Sequence, residues 1–142
     1  MKNIVKVVFL MENKNQKSVR VTGKVTRDKL ACSVGSGSAE VYATPMVVAL
    51  MENSACKLAQ ELVPEGCTTV GTKISIEHLS ATAEGAEVYA VATLVESDGR
   101  RFEFTVEAYD NAGLIAKGTH QRFSVKTEKF MAKAKARLEE NI

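Results

Sequence analysis

Apolar residues dominate the middle of the chain, over residues 42–62, and their spacing predicts one long helix. Thr44 followed by Pro45 predicts its start, with Thr44 as the N-cap and the proline at the first helical position, where a missing N–H costs nothing. Pro64 and Gly66 predict its end. The rest of the chain is therefore expected to be organised around this helix.

One carboxylate interrupts the apolar part of the helix. On the helical repeat Glu52 shares a face with Val48, Ala55 and Ala59, which are all small or apolar. The pattern leaves two interpretations open: the side chain of Glu52 reaches solvent or pairs with a lysine, or it serves a chemical role.

Alternating apolar and polar positions predict strands on both sides of the helix. One strand covers residues 19–27, with a bulge at Gly23, and four more cover residues 69–80, 86–96, 101–110 and 114–126. In the second strand one face is expected to be mostly apolar and to end in a histidine. Its members are Val70, Thr72, Ile74, Ile76 and His78.

Short turns join the last four strands, so they are expected to be antiparallel. The turn at residues 97–100 predicts a hairpin, and Gly118 in the last strand predicts either a bulge or a close approach of two backbones. A second helix is predicted over residues 128–140. Residues 1–18 fit an N-terminal extension or an extra strand. One helix covering an antiparallel sheet is an α+β architecture, whose uncovered sheet edge favours a dimer.

Composition narrows the class of protein. With 142 residues, 45% of them hydrophobic and 25% charged, the chain is expected to form one globular domain over residues 1–142. No apolar run approaches the roughly 20 residues of a membrane span, and no secretion signal is recognisable, so a cytoplasmic protein without a membrane partner is predicted. The net charge of +2 does not imply nucleic acid. Three cysteines without metal-ligand spacing predict reduced thiols and no metal.

Five residues stand out as candidates for chemistry. Thr44, Glu52 and His78 are the residue types of a hydrolase: a hydroxyl at a helix start, a carboxylate and a strand histidine. Gly71 and Arg122 also stand out, and for Arg122 a salt bridge and a phosphate contact are equally open interpretations. The residues alone also permit structural roles, and the sequence lacks the GxSxG, P-loop, HExxH and GxGxxG motifs.

Four stretches of the sequence are distinctive in combination: EVYATPMVVALMENSAC at residues 40–56, VGTKISIEHLSATAEG at 70–85, GTHQRF at 118–123 and EKF at 128–130. With these stretches the sequence resembles the fluoroacetyl-CoA thioesterase family of hotdog-fold thioesterases. The resemblance implies a hotdog fold, with a five-stranded antiparallel sheet wrapped around the helix, and a homodimer with its sites at the subunit interface.

The resemblance also implies the site. Thr44, Glu52 and His78 match the catalytic set of the family, and Gly71 and Arg122 match its substrate-binding glycine and arginine. The implied reaction is hydrolysis of a short or modest acyl-CoA to the free acid and CoA, with no cofactor besides the CoA of the substrate. Residues 34–38 lack the aromatic side chains that cover the acyl pocket in the fluorine-selective member, so a more open pocket without fluorine selectivity is expected.

Three other interpretations stay open. A hotdog protein can bind acyl-CoA or another small ligand without hydrolysing it, and related dehydratases act on acyl thioesters. A cluster of cations near the C-terminus fits either a solvated helix face or a contact with CoA phosphates or an acidic partner. Its members are Lys126, Lys129, Lys133, Lys135 and Arg137.

Overall fold

The computed structural model describes residues 16–140, in which a five-stranded antiparallel sheet curves around one long helix. The strands are β1 (Ser18–Lys24), β2 (Cys67–His78), β3 (Glu87–Ser97), β4 (Arg101–Asp110) and β5 (Gly113–Lys126). The helices are α1 (Ala31–Val34), α2 (Thr44–Gln60) and α3 (Thr127–Glu139), with a 3-10 turn at Arg27–Lys29. The predicted α+β architecture is confirmed. Most of the extension predicted over residues 1–18 lies outside the described residues.

The order of strands in the sheet is β1-β3-β4-β5-β2, which leaves β1 and β2 at the edges. The predicted hairpin is present, since β3 pairs with β4. Within residues 16–140, no helix is long and apolar enough to cross a membrane.

The core lies between α2 and the concave face of the sheet. Small residues such as Ala55 and Ala59 let the helix approach the strands closely, while large side chains fill the remaining space. Burying each large apolar side chain contributes about 1.5–3 kcal/mol to folding. Six fully buried members are Val47, Met51, Leu58, Phe102, Phe104 and Val106.

The start of α2 differs from the prediction by one residue. Ala43 is the N-cap and no side chain caps the helix, so Thr44 is the first helical residue. Because the Thr44 hydroxyl is not used for capping, it can contact another side chain. Pro45 lies in the first turn, as predicted.

The bulge predicted at Gly23 is wrong. β1 ends at Lys24 rather than at residue 27, and its pairing with β3 runs without a shift through Gly23, which lies opposite Val88. A Cβ at Gly23 would lie 3.5 Å from Cδ1 of Leu50 on α2, which is an ordinary van der Waals contact, so the packing there does not require a glycine.

The face predicted for β2 is wrong at its beginning, because the strand has a bulge between Gly71 and Lys73. The extra residue shifts the alternation of sides. Consequently Thr69 and Gly71, rather than Val70 and Thr72, share the helix-facing side with the second half of the strand. The second half of that side consists of Ile74, Ile76 and His78.

Gly118 marks a close approach of two backbones, one of the two predicted alternatives. It lies opposite Ile76 in the pairing of β2 with β5, and no register shift occurs there. A Cβ at this position would lie 2.0 Å from the Ser75 carbonyl oxygen and 2.8 Å from Cα of Ile76. Only glycine fits without moving β2.

We expect Gly118→Ala to destabilise the protein by about 2–4 kcal/mol, because the new methyl group collides with backbone atoms that cannot rotate away. The free energy of unfolding in urea measures the effect. Gly37→Ala is the matched control: its Cβ would meet only Cβ of Ala31, at 3.8 Å, so its stability should change by less than about 1 kcal/mol. Equal stability of the two variants would contradict the close approach.

Candidate active site

Thr44 and His78 meet where α2 begins and β2 ends. The Thr44 Oγ1 atom lies 2.7 Å from Nδ1 of His78, within hydrogen-bond distance. The backbone of Thr44 is fixed by the first turn of the helix, and that of His78 by its pairing with Ala116 of β5. The pair combines a hydroxyl with a titratable base, the arrangement that activates a nucleophile.

The other ring nitrogen of His78, Nε2, is buried and has no hydrogen-bond partner within residues 16–140. A buried polar atom of this kind costs stability and is typical of a site that receives a ligand, a water molecule or another chain. A hollow of about 260 Å³ opens beside the ring. Ser36, from the stretch that corresponds to the aromatic cover of the acyl pocket in the fluorine-selective member, lines this hollow together with Thr44 and His78.

Glu52 and Gly71 meet at a second position, two turns further along α2. A Cβ on Gly71 would lie 2.9 Å from Oε2 of Glu52, so the glycine makes room for the carboxylate. The side chain of Glu52 is 41% exposed. Its Oε2 lies 3.9 Å from Nη1 of Arg122, an ion pair too long for a hydrogen bond.

Arg122 is buried behind Glu52, with 8% of its side chain exposed. Nε donates to the hydroxyl of Thr69 at 2.9 Å, and Nη2 donates to the carbonyl of the same residue at 2.9 Å. Nη1 lies 3.1 Å from Nε2 of His120. These contacts fix the guanidinium across β2 and β5 and leave one edge directed at Glu52.

His120 is the inner member of this cluster. Its Nδ1 lies 2.8 Å from the carbonyl of Lys73, just after the bulge. A carbonyl only accepts, so Nδ1 carries the proton, and the guanidinium of Arg122 only donates, so Nε2 is the acceptor. The ring is therefore neutral. Burial lowers the pKa of His120 from its ordinary value, and the charge of Arg122 lowers it further, outweighing the Lys73 carbonyl and Glu52.

The predicted site residues thus form two clusters within one chain. The first is the pair Thr44 and His78, and the second joins Glu52, Gly71 and Arg122. Thr44 and Glu52 are eight residues apart on α2, about 12 Å along its axis. Gly71 and His78 are about 20 Å apart along β2. No hydrogen bond joins the two clusters within residues 16–140.

Sequence reasoning did not include His120 among the site residues. One feature of the sequence could have pointed to His120: it lies two residues before Arg122, so both side chains are on one side of β5. The pattern could not show that the ring accepts a hydrogen bond from the arginine, because the acceptor nitrogen is set by the carbonyl of Lys73, which is distant in sequence.

Comparisons with known proteins identify the family to which the chain belongs. The sequence profile of the fluoroacetyl-CoA-specific thioesterase family matches residues 25–128. A fluoroacetyl-CoA thioesterase from Streptantibioticus cattleyicolor is 36% identical over 96 residues, which cover 68% of this chain and 69% of that protein. The chain belongs to the fluoroacetyl-CoA-specific thioesterase family.

Solved structures of this family and of wider relatives share the fold. The crystal structure of a fluoroacetyl-CoA thioesterase superposes with a TM-score of 0.80 at 29% identity, covering 85% of this chain and 94% of that one. A thioesterase-superfamily protein from Thermus thermophilus has a TM-score of 0.78 at 27% identity, covering 87% and 94%. A hot-dog-like protein from Thermanaerovibrio acidaminovorans, at 22% identity and a TM-score of 0.76 over 86% and 90%, shows the same fold. The predicted hotdog fold is confirmed.

The neutral, buried His120 predicts a pH dependence of stability. Because its pKa in the folded protein lies below the value in the unfolded chain, its stabilising contribution is present above about pH 6.5 and is lost as pH falls through the folded pKa. For one proton the loss reaches at most about 1.4 kcal/mol per pH unit. Urea unfolding at a series of pH values, in wild type and His120→Gln, measures it.

The variant should be less stable near neutral pH and should lose less stability on acidification than wild type does. His78→Ala, which removes the other histidine and keeps His120, identifies the ring responsible. If His120→Gln loses stability with acid as steeply as wild type, the assignment of a neutral His120 is wrong.

Proposed function

We propose that this protein is an acyl-CoA thioesterase, which hydrolyses a short or modest acyl-CoA to the free acid and CoA. Membership of the family supports the substrate class. The observation that carries the proposal is the hydrogen-bonded pair of Thr44 Oγ1 and His78 Nδ1 at the start of α2. A protein that only binds acyl-CoA has no need of a base placed against this hydroxyl.

In the proposed reaction an oxygen nucleophile adds to the thioester carbonyl. The nucleophile is either the hydroxyl of Thr44, which gives an acyl-threonine that water then cleaves, or water activated by Glu52. The positive end of the α2 dipole stabilises the oxyanion that forms. The proton lost by the attacking oxygen passes to His78 and, when the carbon–sulfur bond breaks, His78 delivers it to the departing thiolate. Only side chains and water take part, with no metal or further cofactor.

Gly71 and Arg122 are assigned to the substrate. The buried guanidinium turns its free edge towards the position of Glu52, where it can orient a carbonyl or a carboxylate. Gly71 contributes its backbone, and its missing side chain leaves space for Glu52. The acyl group enters the hollow beside Ser36, whose neighbours in residues 34–38 include no aromatic ring. We therefore propose no selectivity for fluorine.

We further propose that two chains complete each site. Because the Thr44 cluster and the Glu52 cluster lie at opposite ends of β2, a two-fold axis near the middle of that strand brings one cluster of each chain together. β2 is an edge strand of twelve residues, and its outer edge has no neighbour within residues 16–140. An exposed edge of this length is a template for pairing with another strand.

The sequence of β2 favours one register for that pairing. With the two-fold axis at Ser75, Ile74 lies opposite the partner's Ile76, and Lys73 lies opposite the partner's Glu77. Apolar residues then meet on the helix-facing side, and opposite charges meet on the outer side. With the bulge left unpaired, Gly71 lies opposite the partner's His78.

A cytoplasmic location is also proposed, supported by three cysteines that remain free thiols.

Free-thiol release from a panel of acyl-CoAs, with and without fluorine, tests the activity. Glu52→Gln and His78→Ala should each reduce turnover by about 100-fold or more, since each removes a group that moves a proton in the reaction. Glu61→Gln is the matched control, because it changes an exposed carboxylate beyond the end of the same helix. No release from any substrate would favour a binding protein, and water addition to an enoyl-CoA would favour a dehydratase.

Mixing the two inactive variants tests the shared site. If each site combines His78 of one chain with Glu52 of its partner, a mixed dimer has one intact site and one doubly altered site. Subunit exchange between His78→Ala and Glu52→Gln should therefore restore roughly a quarter of wild-type activity. Restoration is absent if each chain holds a complete site. Gel filtration of the mixture verifies that it is dimeric.

A further inference from the structure

A groove lies between α3 and the adjacent end of the sheet, away from the candidate active site. Its volume is about 770 Å³, and four cationic residues line it together with an aromatic ring. The cations are Arg100, Lys126, Lys129 and Lys133, and the ring is Phe130. We call it the cationic groove. No aspartate or glutamate lines it, and none of the four cations forms an ion pair within residues 16–140.

The spacing of residues on α3 produces this surface. Lys129 and Lys133 are four residues apart on α3, and Phe130 precedes Lys133 by three, so these three share one side of the helix, while Lys126 is the last residue of β5, directly before it. The groove runs along this side, and Arg100, in the turn between β3 and β4, faces it from the sheet. Four unpaired positive charges around one concave surface attract a ligand with several negative charges.

Phe130 adds a second property to the groove. It is 39% exposed, and α3 buries none of its residues, so the ring is available for contact. An aromatic face among cations fits a planar heterocycle attached to phosphate groups. A nucleotide has this chemistry, whereas an acidic peptide has the negative charge without the planar base.

The position of the groove relates it to the candidate site. Lys126 lies four residues after Arg122 on β5, about 13 Å along the strand. Cys67, which also lines the groove, lies four residues before Gly71 on the neighbouring strand β2. The groove therefore lies further along the same two strands than the cluster of Glu52, Gly71 and Arg122. A ligand held in it can extend along β2 and β5 to that cluster.

From these observations we propose that the cationic groove binds the 3′-phosphorylated ADP head of coenzyme A. Lys126, Lys129, Lys133 and Arg100 hold the phosphates, and Phe130 stacks on the adenine. The pantetheine arm then runs along the two strands and presents the thioester at the cluster of Glu52. This inference rests on the proposed acyl-CoA substrate for its choice of nucleotide, and it assigns a binding role to a helix that the catalytic proposal does not use.

Adenosine 3′,5′-bisphosphate, which contains the adenine, the 3′-phosphate and one of the two 5′-phosphates of that head, tests the groove directly. Calorimetry should detect its binding to wild type, with affinity that falls as salt is added. Lys129→Ala combined with Lys133→Ala, and separately Phe130→Ala, should each weaken binding about tenfold or more. Lys135→Ala removes a cation of the same helix that does not line the groove, and it should bind the probe like wild type.

A kinetic measurement separates this inference from the proposed function. In the groove variants the advantage of acyl-CoA over acyl-pantetheine in kcat/KM should fall about tenfold. Absence of probe binding to wild type, or equal binding by wild type and the groove variants, overturns the inference whatever the activity. Probe binding that needs the groove, without hydrolysis of any thioester, supports the groove and overturns the thioesterase proposal. Tight capture of an acidic peptide instead of the probe also overturns it.

Discussion

A buried guanidinium must find an acceptor for each of its N–H groups, and this requirement organises the sheet around Arg122. β2 supplies the hydroxyl and carbonyl of Thr69, and β5 supplies the ring of His120. The ring can accept because its other nitrogen donates to the carbonyl of Lys73, the residue just after the bulge in β2. Two neighbouring strands thus hold the arginine and orient the histidine, and the missing side chain of Gly71 leaves room for Glu52.

The need to satisfy the buried guanidinium also separates the residues that position the site from the residues assigned to the reaction. Arg122 and His120 are buried and held on all sides but one, whereas Thr44 lies at a helix start and Glu52 is partly exposed. The groups assigned to the reaction therefore lie at the surface of a rigid frame. A frame of this kind holds its side chains close to one geometry without depending on loops. Efficient proton transfer requires such a fixed geometry.

Much of the fold could be predicted from the sequence, because the signals were local. The long apolar helix, the alternation in the strands and the glycine turns each reflect the immediate neighbours in the chain. The errors have a common physical origin. The strand faces of β2 and the partner of the Thr44 hydroxyl are decided by elements distant in sequence. His120 was missed for the same reason, since its tautomer depends on a carbonyl 47 residues away.

The stretch that follows α1 has a consequence for how this family diversifies. Gly35 ends that helix in a left-handed conformation, and Ser36 lies against the hollow beside His78. None of residues 34–38 contacts the arginine network through a hydrogen bond of its side chain. If the hollow holds the acyl group as proposed, its wall at Ser36 can change without disturbing the buried side chains around Arg122. Evolution or design can then alter which acyl-CoA the protein accepts through this short stretch alone.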